Sequence, residues 1–228
     1  MVIIFQILLF FLGATFGSFF QLLADRQPLG LDVVFTPSYC DVCQTRLAPY
    51  DLIPVIGYWL QQGHCRYCQH EIPSASMCWE FVGGISAIWL FLNWSYWQVG
   101  GSLICLLIFQ LAIFDACHYY VDQLSLSQLL LFIILLYWHS LTPNILPTLC
   151  CLLVLTTISK LTRGLGNADV QLVSMLILAY GLQPMLWVCL LANILILLIY
   201  LIEPHLKRFA FIPYLYLALL ALPLLPIN

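Results

Sequence analysis

Long apolar runs separated by short polar stretches make up most of the chain. A bilayer core of roughly 30 Å needs about 20 apolar residues in a helix. The pattern therefore predicts about eight membrane-spanning helices, at residues 2–23, 80–97, 101–116, 125–141, 145–159, 170–182, 184–202 and 209–225. The first run lacks a basic start and a small-residue cleavage site, so we interpret it as a retained helix. The expected fold is an all-α polytopic membrane helix bundle.

Composition supports a membrane protein. The 228 residues are 63% hydrophobic and only 7% charged, which lies far outside the usage of soluble globular domains. The few basic residues predict the orientation, because Lys and Arg in short loops mark the cytoplasmic side of a membrane. If the N-terminus is outside, all seven fall on the cytoplasmic side: Arg26, Arg46, Arg66, Lys160, Arg163, Lys207 and Arg208.

The predicted outer loops agree with this orientation. Residues 98–100, 142–144 and 183 contain no Lys or Arg. Tryptophans are expected at the outer interface, where amphipathic rings accumulate, and those at predicted outer helix ends are Trp94, Trp97 and Trp138. The chain then divides into a first transmembrane helix (1–23), a small cytoplasmic insert (24–79) and a transmembrane bundle (80–228).

The insert carries two cysteine pairs with metal-binding spacing. Cys40-x2-Cys43 is followed after 21 residues by Cys65-x2-Cys68, a pattern that indicates a zinc site with four thiolate ligands. The metal would supply folding energy to a segment too short to bury a core unaided. Two disulfides are the alternative, which the predicted reducing side of the membrane disfavours. Four sulfur ligands leave no open position, so the predicted zinc is structural.

Two acids lie against the apolar spans on the predicted cytoplasmic side. Asp115 is near the end of the third span and Asp169 is at the start of the sixth, so both are expected at one membrane depth. Acids there are costly and are functional candidates by default. Two close carboxyl groups share a proton, so that one acts as a general base on water while the other polarises a peptide carbonyl. Gly164 and Gly166 would allow a close approach to a substrate strand.

Other interpretations of these acids stay open from the residues alone. Asp169 could simply cap the sixth helix, and Asp115 could pair with His118 on its own helix. Proton-coupled transporters also place acids in membranes, usually near the midplane between inverted repeats, and the sequence shows no such repeat. An aspartyl hydrolase, a helix cap and a transporter are therefore all compatible with the pattern.

Several blocks of the chain, in their order and spacing, resemble the bifunctional type IV prepilin peptidases, including the competence-type leader peptidases of bacteria. These blocks are "GSFFQLLADRQP" (17–28), "DLIPVIGYWLQQGHCRYC" (51–68), Glu80, "FDACHYYVDQ" (114–123) and "GLGNAD" (164–169). The chain departs from the family pattern at four places. Gln21 stands where Asn is usual, Ala168 replaces a glycine, Gln171 stands where Lys is common, and Asp122 lacks the preceding proline.

The resemblance implies an aspartyl endopeptidase that cleaves the basic leader of prepilins or pseudopilins on the cytoplasmic side, with Asp115 and Asp169 as the catalytic pair. It also implies methylation of the new N-terminus with S-adenosylmethionine, associated with the zinc-bearing insert. No glycine-rich nucleotide fingerprint identifies the residues that bind this donor. The expected location is the bacterial inner membrane, with the lipid bilayer and prepilins as partners and no nucleic acid. The alternatives are a membrane methyltransferase without protease activity and a non-enzymatic transporter or assembly protein.

Overall fold

The computed structural model describes residues 1–138, 141–162, 166–204 and 208–225. Regular structure within these ranges is helical, apart from two isolated β-bridges. The α-helices are α1 (Val2–Arg26), α2 (Ile56–Leu60), α3 (Ser74–Leu92), α4 (Trp94–His118), α5 (Gln123–Tyr137), α6 (Thr142–Thr162), α7 (Asn167–Tyr180), α8 (Leu182–Ile202) and α9 (Ile212–Leu220).

Helix length and composition confirm the predicted class, a polytopic helical membrane protein. Five helices of the described chain are long and apolar enough to cross a membrane: α1, α3, α4, α6 and α8. Two further apolar helices, α5 and α7, have 15 and 14 residues, and α9 has nine. Of the eight predicted segments, five therefore form helices of membrane length and three form shorter ones.

The loop predicted at residues 98–100 falls on a break in the helical backbone. Gln98 has φ 48° and ψ −166°, which are not helical angles, so it separates a short first stretch of α4 from the longer part that ends at His118. A further break lies at Asn93, between α3 and α4. The predicted span 80–97 therefore covers the end of α3 and the first residues of α4, because hydropathy does not register the break at Asn93.

The helices fall into two compact units, residues 1–92 and residues 93–228. In the first unit, α1 and α3 pack against each other through glycines. A Cβ atom added at Gly13 would lie 2.2 Å from the carbonyl oxygen of Gly83, and one added at Gly17 would lie 2.5 Å from that of Trp79. Small residues at such contacts let two helix backbones approach closely.

Gly13→Ala is expected to destabilise the first unit. The new methyl group meets backbone oxygen, which a side-chain rotation cannot relieve, so the two helices must separate, at a cost of about 1–3 kcal/mol. Thermal unfolding of the purified protein in detergent measures the effect. Gly100→Ala is the matched control, because a Cβ atom at this helical glycine finds its nearest neighbour at 3.7 Å. Equal unfolding temperatures for the two variants would contradict the close helix contact.

The second unit has its core along α4 and α7. Ile104 and Ile108 of α4 and Leu176 of α7 are fully buried, as is Leu215 of α9. Helix α4 contacts α5 and α9, and α7 contacts α5, α6 and α8. These contacts bring the end of α4, the start of α7 and the start of α9 into one compact unit.

Two of the three tryptophans predicted at the outer interface are exposed. Trp94 and Trp138 are 49% and 66% exposed. Trp97 is only 1% exposed, so its assignment to an interfacial belt is wrong. It lies beside the kink of α4, and its ring makes an edge-to-face contact with Tyr180, which makes it part of the core.

Candidate active site and metal centre

Asp115 lies in the last turn of α4. The helix ends at Tyr119, which has the left-handed φ of 52° and donates its N–H to the Asp115 carbonyl oxygen at 2.8 Å. Asp115 itself is 8% exposed. A carboxyl group buried to this extent needs hydrogen-bond partners to offset the loss of water.

The Asp115 carboxyl group finds that partner at the start of α9. The backbone N–H of Ile212 donates to Asp115 Oδ2 at 3.0 Å. Ile212 is the first residue of α9, which has no side-chain cap from its own N-cap residue. Asp115 therefore fastens the end of α4 to the start of α9, and its carboxyl group is held in a defined position.

Asp169 lies in the first turn of α7 and is half-buried. Its carboxyl group hydrogen-bonds to the backbone of Gly166, the residue that caps the helix. A Cβ atom at Gly166 would lie 2.8 Å from Asp169 Oδ2, so the carboxyl group rests directly over this glycine. Asp169 therefore holds the start of α7, as the helix-capping interpretation expected.

The two carboxyl groups lie close enough to interact. Asp115 acts on Asp169 through a direct electrostatic interaction, although one acid ends α4 and the other begins α7. Like charges at short range cannot both be retained easily, so such a pair tends to hold one proton between its members. Gly164, of the predicted glycine block, lies outside the described residues, as do the basic residues Arg163 and Lys207.

The four cysteines of the insert form one cluster. Their sulfur atoms all lie within 4.8 Å of one another. The Sγ atoms of Cys40 and Cys68 are 3.8 Å apart, and those of Cys43 and Cys65 are 4.0 Å apart. Tetrahedral zinc with Zn–S bonds of about 2.3 Å places its sulfurs about 3.8 Å apart, whereas a disulfide requires about 2.05 Å. The spacing fits a shared metal ion, and these sulfurs are too far apart for a disulfide bond.

The two cysteine pairs fold into equivalent turns. Gln44 donates its backbone N–H to the Cys40 carbonyl oxygen, and Gln69 donates to that of Cys65 in the same way. Both glutamines have a left-handed φ, of 57° and 59°. Each turn is closed by an isolated antiparallel bridge, at residues 39 and 46 and at residues 64 and 71. The turns are therefore a structural repeat that aims two sulfurs from each toward one point.

Ionisation within the cluster favours a cation. Hydrogen bonds from Thr45 lower the pKa of Cys43 to about 6, and backbone N–H groups of its own turn lower the pKa of Cys65. The pKa of Cys68 is raised to about 11, because burial and the neighbouring thiols outweigh the hydrogen bond from the backbone of His70. Four thiolates cannot coexist at this distance unless a positive ion neutralises them, and metal binding is what releases their protons.

An ion pair between exposed Arg66 and buried Asp51 fastens the second turn to the rest of the insert. Arg66 donates two hydrogen bonds to Asp51 Oδ1, at 2.9 and 3.2 Å, and its guanidinium lies 4.6 Å from the centre of the Tyr50 ring. The Asp51 side chain is completely buried, and its other oxygen accepts the N–H of Ala48. The insert thus has a specific fold around the cysteine cluster.

Parts of the chain are similar to known proteins. Residues 11–94 match the family described as the bacterial peptidase A24 N-terminal domain. Over 65 residues the chain is 37% identical to a protein of Bacillus subtilis (strain 168), and over 120 residues it is 31% identical to one of Klebsiella pneumoniae; both are named prepilin leader peptidase/N-methyltransferase. The chain is thus similar to prepilin leader peptidases over part of its length.

A relative from Neisseria gonorrhoeae with the same name is 24% identical over 171 residues, which are 68% of this chain. The match to the Bacillus protein covers 28% of this chain, and the match to the Klebsiella protein covers 47%. The aligned part is 26% of the length of the Bacillus protein, 51% of the Klebsiella protein and 58% of the Neisseria protein. No solved structure matches the chain.

The match to the bacterial peptidase A24 N-terminal domain, at residues 11–94, contains the cysteine cluster and Glu80, whereas Asp115 and Asp169 lie outside it. The sequence did not reveal what holds Asp115. Its partner is a backbone N–H, 97 positions away, and a backbone donor leaves no residue signature. The available signal is Pro213 in the first turn of α9. Proline is typical of the first turn of a helix, where the backbone N–H groups have no partner within the helix.

Proposed function

We propose that this chain is a membrane aspartyl endopeptidase that removes the basic leader of type IV prepilins or pseudopilins on the cytoplasmic side of the membrane. The observation that supports the proposal is that Asp115, at the end of α4, and Asp169, at the start of α7, are near enough for their charges to influence each other. Relatives named prepilin leader peptidase/N-methyltransferase supply the substrate class. Asp115 and Asp169 are the proposed catalytic residues.

The pair can hydrolyse a peptide bond without a covalent intermediate. The ionised carboxyl group removes a proton from a water molecule, and the water oxygen forms a bond to the peptide carbonyl carbon. The protonated carboxyl group donates a hydrogen bond to the carbonyl oxygen. The carbon–nitrogen bond then breaks as the leaving nitrogen receives a proton from the pair. Asp115 is held by the N–H of Ile212 at 3.0 Å, which fixes one side of this arrangement.

The four cysteines are proposed to hold a structural zinc ion. The residues fit such an ion, because the sulfur–sulfur distances of 3.8 and 4.0 Å are those of a tetrahedral tetrathiolate site. With all four ligands supplied by Cys40, Cys43, Cys65 and Cys68, the ion would stabilise the insert and take no part in hydrolysis. The insert would then present a rigid surface beside the ends of α1 and α3, which belong to the same compact unit.

A second activity, methylation of the new N-terminus, is proposed from the double name of the relatives. S-adenosylmethionine is the proposed donor, and it supplies a methyl group bound to a positively charged sulfur. The chain's own task would be to hold the donor and the amine in line and to exclude water. This activity is assigned to the first unit, which contains the match to the N-terminal domain.

One measurement separates the candidate functions. A prepilin is co-expressed with this protein, and its intact mass reports leader loss and methylation independently. Loss of the leader together with a gained methyl group is the expected result. A methyl group on a prepilin that another enzyme cleaved would identify a methyltransferase alone. An unchanged prepilin would leave the transporter or assembly interpretation and contradict the proposal.

Gly166→Ala tests the position of Asp169. The added Cβ atom would lie 2.8 Å from Asp169 Oδ2, so the carboxyl group must turn away while the helix remains, because the neighbour is the end of a side chain. A displacement of about 1 Å can reduce a rate by about 10²-fold, and we expect a loss of that order in leader cleavage. Gly100→Ala serves as the control, since its Cβ atom meets only ordinary contacts. Full activity in Gly166→Ala would mean that the position of this carboxyl group is unimportant.

A further inference from the structure

Residues 52–60 form an apolar stretch on the surface of the first unit. The stretch reads "LIPVIGYWL" and contains no charged residue, and its second half is the short helix α2. Its large side chains are exposed to an unusual extent: Trp59 is 72% exposed, Leu60 is 66% exposed and Ile56 is 40% exposed. Neighbouring apolar side chains that are exposed together mark an interaction surface. A partner with an apolar surface is therefore expected to cover them.

Helix α3 provides the scale for the depth of this stretch in the membrane. The helix has 19 residues and, at a rise of about 1.5 Å per residue, it is about 28 Å long. A bilayer core is roughly 30 Å thick, so α3 needs its whole length to cross it. Glu80 follows Ser74, the first residue of α3, by six positions, which corresponds to about 9 Å of helix. Glu80 therefore belongs to the part of α3 that lies within the membrane.

Helix α1 gives the same depth independently. A Cβ atom at Gly17 would lie 2.5 Å from the carbonyl oxygen of Trp79 and 3.0 Å from the Cα atom of Glu80, so these residues lie at one level of the helix pair. Helix α1 continues for nine residues beyond Gly17, to Arg26, which corresponds to about 14 Å. Both helices thus extend past the level of Glu80 on the side that carries the insert.

A hydrogen bond ties the apolar stretch to this level. The N–H of Val55 donates to Glu80 Oε2 at 2.6 Å, and Val55 is the residue directly before α2. Glu80 is only 8% exposed. An acid at this depth would be costly if it faced lipid, and the turn that contains Val55 supplies it with a polar partner. Helix α2 therefore begins beside the membrane-spanning part of α3 and not beyond its end.

We propose that residues 52–60 are an interfacial membrane anchor, in which Trp59 and Leu60 contact lipid at the boundary between head groups and acyl chains. Helices of this kind lie about 5–10 Å into that boundary, which is the depth that the bond from Val55 imposes. Tryptophan is favoured there because its ring is apolar and its N–H is polar. The anchor holds the insert against the bilayer at a point between its two connections to α1 and α3, and it is independent of the proposed peptidase and methyltransferase activities.

Photocrosslinking of the full-length protein in lipid nanodiscs tests the anchor. Trp59→p-benzoylphenylalanine is prepared in nanodiscs of phosphatidylethanolamine and phosphatidylglycerol, with a prepilin added, and intact mass after irradiation identifies what the probe has reached. We expect phospholipid adducts to be the main product. Label on the prepilin, on a second copy of the chain or on another part of the same chain, without phospholipid adducts, would show a protein partner and overturn the proposal.

Tyr67 provides the matched control position. It is an aromatic residue of the same insert and is 49% exposed, but it lies in the second cysteine turn, near the exposed charged residues Arg66 and Glu71. The same probe has the same size and the same affinity for lipid at both positions, so only the location differs. We expect the phospholipid adducts to be lost at position 67. Equal adduct yields at positions 59 and 67 would mean that the probe labels lipid wherever it is placed, and would contradict a specific anchor.

Leu60→p-benzoylphenylalanine gives a second reading if the Trp59 variant fails to fold. Folding is checked by the unfolding temperature and by the resistance of residues 24–79 to protease. Leu60 is adjacent in the chain and is exposed to a similar extent, so phospholipid adducts are expected here as well. A folded Leu60 variant that gives no phospholipid adducts would overturn the anchor.

Discussion

Asp115→Asn and Asp169→Asn are each expected to reduce leader cleavage by about 10²–10⁴-fold, the contribution of a positioned general acid or base. Asparagine retains a carbonyl oxygen, so it can still accept the N–H of Ile212 at position 115 and the hydrogen bond to the backbone of Gly166 at position 169. The helix contacts should therefore persist while the shared proton is lost. Intact mass of a co-expressed prepilin, followed over time, measures the rate.

The double variant sharpens this prediction. Residues that act as one catalytic unit show grossly non-additive losses, so Asp115→Asn with Asp169→Asn should be about as inactive as either single variant. Glu203→Gln is the control, since it neutralises an exposed acid at the end of α8 in the same unit. A wild-type cleavage rate in either single aspartate variant would remove the pair from the mechanism. Losses that multiply would indicate two independent contributions.

Cys40→Ser is expected to abolish zinc binding and to unfold the insert. Serine replaces a thiolate with a weakly acidic hydroxyl, and structural zinc contributes about 10–16 kcal/mol in zinc-finger peptides. The zinc content of the purified protein, measured by mass spectrometry, should fall from about one ion per chain to near zero. Limited proteolysis should then cut within residues 24–79, whereas the folded insert of the wild type is expected to resist cleavage.

Cys78→Ser is the matched control for the metal centre. Cys78 belongs to the same unit and is exposed on α3, outside the four-cysteine cluster. Its substitution should leave both the zinc content and the proteolysis pattern unchanged. If Cys40→Ser kept the metal content of the wild type, the cluster would not be a zinc site.

The cysteine turns were predictable because their information is local. Each turn spans eight residues, from residue 39 to 46 and from 64 to 71, and is closed by its own hydrogen bonds. Spacing within each pair and the distance between the pairs were sufficient to indicate one metal site. The orientation of the membrane remains a prediction, since it rests on basic residues of which Arg163 and Lys207 lie outside the described chain.

The break between the second and third predicted spans was located only in part, for a physical reason. Hydropathy averages over many residues, whereas a helix break depends on one or two backbone angles. Gln98 interrupts the helical backbone at the predicted position, but the earlier break at Asn93, which ends α3, was not predicted. The same limit explains Trp97, which an average pattern assigns to the interface and side-chain packing places in the core.

The sequence by itself determined three things: the class of the molecule, the four cysteines that form one cluster, and the two acids worth testing. The apolar content indicates the class, the ligand spacing indicates the cluster, and the cost of an acid near a membrane singles out the two acids. Each of these signals can be found in the sequence residue by residue. Only the tertiary structure decided that Asp115 meets the backbone of Ile212 and that Asp169 comes within range of its charge. These contacts depend on how α4, α7 and α9 pack, and packing joins positions far apart in the chain through shapes that no local pattern records.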